Sequence, residues 1–502
     1  MKKYDMIIIG TGAGNIILEA ALEQGLRCAQ IERGKFGGTC LTRGCIPTKV
    51  MATFADKLIE MKEAKEIGIS CENIRFDWDL MSKRVWEKID ESKELRDFYK
   101  NTENLDVYEG TGYFVEDKVI EVELNDGTIS KRITADKIFI GVGGRTNVPK
   151  LEGLEEVGYL TSETLFGEKY PERPYDSLII IGGGAIGTEF AHIFNAVGTK
   201  VSMVQRNVRL LPKEDEEVSS LIMECYKERG IDLYLNTNTV LVKKHGSKKM
   251  LTIEDKTTGE RKNLVADEIL VAPGIVSNSD LIKIQNTSIA TDERGWIKTN
   301  EFLETNVEDV WAFGDVNGRQ QFRHKANYEA DIIAHNCFMN KMPEDYRWAR
   351  YDLVPAVTFC YPQVAHVGMT EKAAKEAGHS IEVGKHLYNQ TAKGFALGYE
   401  KNDNEFAKII IDKKTKKILG FHAIGHEAAM LIQPYLNLMN AGETVLQPIN
   451  EEIGSETTKR LRQDPPKRAL DPNLLTTVRE TMVPHPALSE VGIWVYYYLT
   501  EA

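Results

Sequence analysis

The chain has 502 residues, 42% of them apolar and 27% charged, with a net charge of −12. That length exceeds one ordinary core and points to two to four domains; the acidic excess argues against bulk nucleic-acid binding, and no apolar run is long enough to span a membrane. Seven cysteines cannot all pair internally, and Cys28, Cys71, Cys225, Cys337 and Cys360, scattered among apolar or mixed neighbours, read as ordinary thiols of a reducing compartment, so a cytoplasmic protein is expected.

Met6-Ile7-Ile8-Ile9 reads as a buried parallel strand. The turn Gly10-Thr11-Gly12-Ala13-Gly14-Asn15 follows at once, which excludes a signal peptide. An apolar helix through Leu22 and a strand from Leu26 to Ile31, ending at Glu32, complete a βαβ unit. Glycines let such a turn approach a pyrophosphate at the helix N-terminus, and Glu32, 22 positions after Gly10, can accept hydrogen bonds from a ribose hydroxyl. Asn15 stands where the third small residue is usual, and Gly14 beside it can supply part of the close packing.

The run Gly37-Gly38-Thr39-Cys40-Leu41-Thr42-Arg43-Gly44-Cys45-Ile46-Pro47-Thr48-Lys49 is the most informative in the chain. A disulfide closing so small a ring adds little stability, so a redox-cycling dithiol is the better reading than a staple. Pro47 fits an early helical position, which places Cys45 near a helix N-terminus, where thiolate is favoured. No second Cys/His pair has ligand spacing, so zinc is disfavoured and no metal is expected. The segment Gly-Gly-Thr-Cys-x4-Cys-x-Pro-Thr-Lys resembles the redox-active segment of the flavin-dependent class I pyridine nucleotide-disulfide oxidoreductases, with the mycothione reductase and dihydrolipoamide dehydrogenase branches the most similar. The resemblance implies FAD at the first βαβ unit, with Gly10, Gly12, Gly14, Glu32, Gly38, Thr39, Lys49 and Gly112 among its binding residues.

Ile138 to Arg145, with Gly143, resembles the family's crossing between domains near the flavin, and Val271-Ala272-Pro273-Gly274 resembles its counterpart. Between them the βαβ pattern recurs: Ser177 to Ile181, then Gly182-Gly183-Gly184-Ala185-Ile186-Gly187, a helix through Val197, and a strand from Lys200 to Val204. Gly182, Gly184 and Gly187 are the three fingerprint glycines, and in the family this unit holds the nicotinamide cofactor. An NAD site wants a carboxylate at the strand end. Gln205 stands there, followed by Arg206 and, within a turn, Arg209. Guanidinium suits a 2′-phosphate, which favours NADP over NAD; the alternative is that both arginines are solvated surface charges.

Thr305 to Asp315 resembles the family's second flavin motif, which makes Gly314 and Asp315 candidates for the ribityl side. Gln321 to Ala326 resembles the helix that approaches the flavin ring, with His324 and Ala326 as candidates, although a lone histidine is more often structural. From Tyr351 the pattern resembles the family's interface domain. A polar stretch at 444–476, rich in proline, lysine and arginine, departs from the family; a solvated surface insertion is the favoured reading, a lid beside the substrate cleft the sharper one. His485-Pro486-Ala487-Leu488-Ser489-Glu490 resembles the catalytic acid/base segment, in which a carboxylate orients the ring. Tyr496-Tyr497-Tyr498 reads as interface packing.

The implied fold is α/β: two Rossmann-like nucleotide-binding domains and a C-terminal α+β dimerisation domain. Its parts are 1–150 (FAD, first part), 151–280 (NAD(P)), 281–350 (FAD, return) and 351–502 (dimerisation, with the insertion). The resemblance implies hydride transfer from NAD(P)H through FAD to a Cys40–Cys45 disulfide. Cys45 would be the thiolate against the flavin and Cys40 the interchange thiol. His485, held by Glu490, would protonate the leaving thiol, and Lys49 would pair with Glu189 near the flavin. The family places this histidine in the partner subunit's site, so a homodimer is implied, acting on a low-molecular-weight or lipoyl-type disulfide. Oxidation of a dithiol by NAD, as in dihydrolipoamide dehydrogenase, reduction of quinone, metal or oxygen acceptors, and a non-catalytic role in a larger complex remain alternatives. Neither nucleic acid nor membrane is expected as a partner.

Overall fold

Four consecutive apolar side chains, Met6 to Ile9, are buried along the second half of the first strand, Lys2–Ile9, in the computed structural model, which describes residues 1–339, 342–399 and 404–494. A strand buried on both faces needs layers on both sides, and the parallel sheet supplies its setting. Lys2–Ile9 lies between Cys28–Glu32 and Ile133–Ile140; Cys28–Glu32 pairs in turn with the start of Leu105–Glu116. Val310–Ala312 closes the far edge beside Ile133–Ile140, although some 170 residues separate them in sequence. The helices Gly14–Glu23 and Arg323–Ala334 share one core with Met6, Ile8 and Phe313. The first nucleotide-binding unit is therefore assembled from two distant stretches of chain.

The chain leaves this sheet and returns to it through two short antiparallel strands, Gly144–Thr146 and Ile275–Ser277, paired side by side. Between the crossings, Glu268–Val271, Ser177–Ile181, Lys200–Val204 and Asp232–Tyr234 form a second parallel sheet in that order. An antiparallel meander of Thr237–His245, Lys248–Asp255 and Arg261–Ala266 covers one face, its Val242, Leu251 and Leu264 packing on Ile179, Ile181 and Ile269.

The C-terminal part is a five-stranded sheet in the order Ala356–Thr358, Gln363–Gly368, Ile418–Gly425, Phe406–Asp412, Ile381–Leu387, antiparallel throughout. The helix Ala428–Asn440 packs Ile432 and Leu436 against Val367 and Phe421. The whole is thus mixed α/β, with two Rossmann-like units and an α+β domain.

The stretch at 444–476 is largely exposed, as its polarity suggests, but it is anchored at a few buried positions. Gly442–Val445 pairs with Lys467–Leu470, and the helix Glu456–Gln463 lies between them. Thr458 is wholly buried, as are Leu446, Ile453 and Leu470. Arg462 and Arg468 are spent on the carboxylates Glu301 and Glu480 rather than on water, which composition cannot reveal. Tyr496, Tyr497 and Tyr498 lie outside the described residues. Among the described residues no helix is long and apolar enough to cross a membrane.

Candidate active site

Gly38 fixes the approach of the redox segment to the first glycine turn, and Gly10 that of the turn to the crossing segment at Gly141. Gly10 has φ +103°, and a Cβ there would stand 2.4 Å from Gly141 O; Gly38 has φ +69°, and its Cβ would stand 2.8 Å from Gly12 Cα. Side chains at either would be strained and would push the segments apart. Gly38 opens the short helix Gly38–Arg43, which carries Thr39 and Cys40, and Cys45 opens the long helix Cys45–Glu63. The two thiols hydrogen-bond to each other.

His485 meets this pair. Its Nε2 lies 3.1 Å from Cys40 Sγ, and its Nδ1 lies 2.5 Å from Glu490 Oε1. The carboxylate fixes the tautomer with a proton on Nδ1, so Nε2 faces sulfur. Burial opposes charge on the ring, but the hydrogen bonds to Cys45 and then to Glu490 outweigh it and raise the pKa to about 9. The hydrogen bond from Cys45 holds the Cys40 thiol below the ordinary value despite burial, with the Arg323 charge adding to it; the same bond and burial push Cys45 well up. The first proton therefore leaves Cys40. Within the single chain, His485 lies at Cys40.

Lys49, one turn beyond Cys45, lies 3.1 Å from Glu189 Oε2 on the helix Ala185–Ala196. Glu189 Oε1 accepts from Phe359 N at 2.8 Å, and the Lys49 ammonium sits 3.9 Å from the Phe359 ring centroid. One ion pair thus ties the redox helix, the second nucleotide unit and the C-terminal domain together. Phe359 and Arg323 carry no sequence signal of their own; Arg323 adjoins His324 at the start of its helix, which is the one hint available.

The first turn suits a dinucleotide. The helix Gly14–Glu23 opens with no side-chain cap and no acidic residue in its first turn, leaving N–H groups for a diphosphate. Gly12 faces the Arg323 guanidinium, 3.6 Å from where its Cβ would be. Glu32 accepts from Thr11 N at 3.1 Å and Oγ1 at 2.7 Å through one oxygen and from Gly34 N at 2.9 Å through the other, which fixes the carboxylate at the strand end. Gly14, whose Cβ would touch Ile8 at 2.9 Å, is the packing glycine, while Asn15 Oδ1 accepts from the buried Gln30 at 3.0 Å. His324 Nε2 is committed to Pro355 O at 2.9 Å, and burial lowers its pKa to about 3; its buried Nδ1 has no protein partner among the described residues and is open to a bound group. Asp315 is half-buried beside Gly144, with a pKa raised by burial to about 6. Gly314 N donates to Glu329 at 2.7 Å, and Ala326 lies against Gly314. These features fit FAD. Gly112 is different: its missing Cβ leaves room for Ile31.

In the second unit Gly182 and Gly187 bring the turn onto Ala272 and onto itself, while space is open at Gly184, Gly274 and Gly143. The helix Ala185–Ala196 also begins without a side-chain cap or an acidic first turn, which fits the diphosphate of a nicotinamide dinucleotide. Gln205 is folded inward, its Oε1 accepting from Arg206 N at 3.1 Å; Arg206 is exposed, and Arg209 lies 3.8 Å from Glu216. Cys40, Cys45 and His485 also form a group whose ligand atoms lie within 4.8 Å of one another, close enough to hold a metal ion. Spacing within the sequence could not reveal this third donor.

Residues 4–330 match the family described as pyridine nucleotide-disulphide oxidoreductase, and residues 354–458 match its dimerisation domain. The chain is similar to mycothione reductase of Mycobacterium tuberculosis, 32% identical over 454 residues that cover 89% of this chain and 95% of that protein. It is similar to dihydrolipoyl dehydrogenase of Bacillus subtilis, 32% identical with 86% and 90% covered. A solved structure titled as the Cu(II) complex of the HOCl-induced flavoprotein disulfide reductase RclA from Escherichia coli superposes with TM-score 0.74 at 25% identity, covering 98% of both chains. The chain belongs to the pyridine nucleotide-disulphide oxidoreductase family, and is a flavoprotein enzyme of that family.

Proposed function

We propose that this protein is an NAD(P)H-dependent reductase of a low-molecular-weight or lipoyl-type disulfide, with NADPH the preferred donor, and that it works as a homodimer. The observation that carries this reading is the Cys40–His485–Glu490 relay, 3.1 and 2.5 Å across its two contacts, beside a second thiol at a helix N-terminus. FAD would be held by the first glycine turn, Glu32, Asp315 and the Lys49 side, and would supply the two-electron link between the nicotinamide and the cysteine pair. Cys40 thiolate attacks one sulfur of the substrate; the S–S bond breaks, and the departing thiolate takes the proton of His485. Cys45 then attacks Cys40 sulfur in the mixed disulfide, which releases the second thiol and leaves the Cys40–Cys45 disulfide for re-reduction. Release of that second thiolate also needs a proton, and Glu490 keeps His485 placed to pass one. The inward Gln205 in place of a carboxylate, with Arg206 exposed, supports NADPH.

The test is steady-state oxidation of NADPH and NADH against a panel of disulfides including oxidised lipoamide, with Cys40→Ser as control. Turnover lost in that variant supports the reading, and a variant that still reduces disulfides normally defeats it. A second reading, reduction of a thiophilic metal ion, is favoured by the clustered Cys40, Cys45 and His485 donors and by the likeness to RclA, one solved structure of which is a Cu(II) complex. Turnover with Cu(II) and with none of the disulfides would select it.

A further inference from the structure

We propose that Glu214, His366 and His422 form a binding site for Zn²⁺ at the seam between the second nucleotide unit and the C-terminal sheet. The site shares no residue with the dithiol site, so the inference goes beyond the reading above and does not depend on it. His366 and His422 are direct cross-strand partners on Gln363–Gly368 and Ile418–Gly425, and the alternation of side chains along a strand puts both rings on one face. The rings stack with centroids 5.3 Å apart at 19°. Glu214 comes to them from the second nucleotide unit, 152 residues before His366, and its Oε2 accepts from His366 Nδ1 at 2.7 Å. One donor atom from each of the three lies within 4.8 Å of the others. Two imidazoles and a carboxylate are a zinc ligand set, and no spacing in the sequence could show it, because the fold alone brings the three together.

His422 carries the argument furthest. The ring is fully buried, and its Nε2 donates to Met369 O at 2.9 Å, which fixes the tautomer and leaves the lone pair on Nδ1. That buried nitrogen has no hydrogen-bond partner among the described residues. Metal-binding histidines are held in this way, the other ring nitrogen donating to a carbonyl or a carboxylate. Burial, with the His366 charge adding to it, lowers the His422 pKa to about 4, so the ring is neutral, as a ligand must be. Burial also opposes charge on His366, but Glu214 outweighs it and raises that pKa, so the site already draws a cation in the form of a proton. A metal ion would take its place and release it. Lys408 follows His422 in the same cross-strand row, but three carboxylates surround its ammonium: Asp215 at 2.6 Å, Glu371 at 2.9 Å and Glu217 at 3.0 Å. Its charge is thereby offset. His366 is only partly buried, which gives an ion a way in and leaves the fourth position of a tetrahedral site to water. The loop that bears Glu214 rests on the second glycine turn, where Leu211 N donates to Gly183 O at 2.8 Å. An ion here would fasten the second nucleotide unit to the C-terminal sheet.

Zinc uptake is the test. The flavin-loaded protein carrying Cys40→Ser and Cys45→Ser, which removes the thiols as competing ligands, is stripped with a chelator. It is then titrated at neutral pH with Zn²⁺ alone, in competition with a chromophoric chelator. One ion per chain is expected. Adding Glu214→Gln, which keeps the shape of the side chain and its hydrogen-bonding reach, or His366→Gln should weaken uptake by at least about 10-fold, since even an outer partner of a metal site is worth about 10- to 100-fold. Each chain must first retain its flavin; should His366→Gln lose it, Glu214→Gln alone gives the answer. Zn²⁺ should also raise the unfolding temperature of the double cysteine variant and leave it unmoved once Glu214→Gln is added. No uptake by the double cysteine variant, or uptake that Glu214→Gln weakens by less than about 10-fold, overturns the proposal.

Discussion

His485 carries its proton through the neutral range because its raised pKa, about 9, lies well above the ordinary histidine value. The sign follows from the charged partners: the stabilisation that docks the imidazolium on the thiol pair is fully present below pH about 6.5 and is lost as pH rises through about 9. Disulfide turnover should therefore hold steady up to about pH 9 and fall above it. His485→Gln should lower turnover by about 10²- to 10⁴-fold and remove that alkaline limb. Glu490→Gln should move the limb to lower pH, since one of the two groups raising the pKa is gone. A limb unchanged in both variants would assign it to another group. Gly38→Ala places a Cβ at positive φ against Gly12, a strain of about 1–3 kcal/mol, and should be seen as loss of FAD on gel filtration. The glycine turns and the cysteine pair were legible in sequence because their chemistry and spacing are local. Asn15 was not: its amide holds Gln30, a partner on the next strand, and only the fold brings the two together.

The helix Arg323–Ala334 carries a fully buried ion pair, Lys325–Glu329 at 3.0 Å, beneath Asp315. Both charges are locked: Lys325 donates to Gly314 O at 2.9 Å and to Asn317 at 2.7 Å, and Glu329 accepts from Gly314 N. Lys325→Met would strand the Glu329 charge and should destabilise the protein by about 3–5 kcal/mol, read as a lower temperature of flavin release. An unchanged release temperature would show that Glu329 finds another cation. This pair was hidden in the sequence, because a lysine and a glutamate four apart look like a solvated helix face. Part of the 444–476 stretch misled for the same reason. Its charge and proline content are those of an exposed loop, yet Arg462 is nearly buried because Glu301, 161 residues earlier, is its partner.

At the scale of the whole molecule, the thiol helix, the second nucleotide unit and the C-terminal domain meet at Lys49, Glu189 and Phe359. The strand–turn–helix patterns made both parallel sheets readable, and the late strand Val310–Ala312 showed through its resemblance to a flavin motif. For the nicotinamide, Arg206→Ala combined with Arg209→Ala should raise KM for NADPH and leave KM for NADH unchanged; equal effects on both would make these arginines plain surface charges.

The most direct test of the account is anaerobic titration of the purified protein with NADPH, followed by absorbance, beside the same titration of Cys45→Ser. Two electrons per subunit should produce a long-wavelength thiolate-to-flavin band in the wild type and none in the variant. Direct bleaching of the flavin in the wild type, with no such band, would mean that Cys40 and Cys45 are not in electronic contact with it, and the dithiol mechanism would fall.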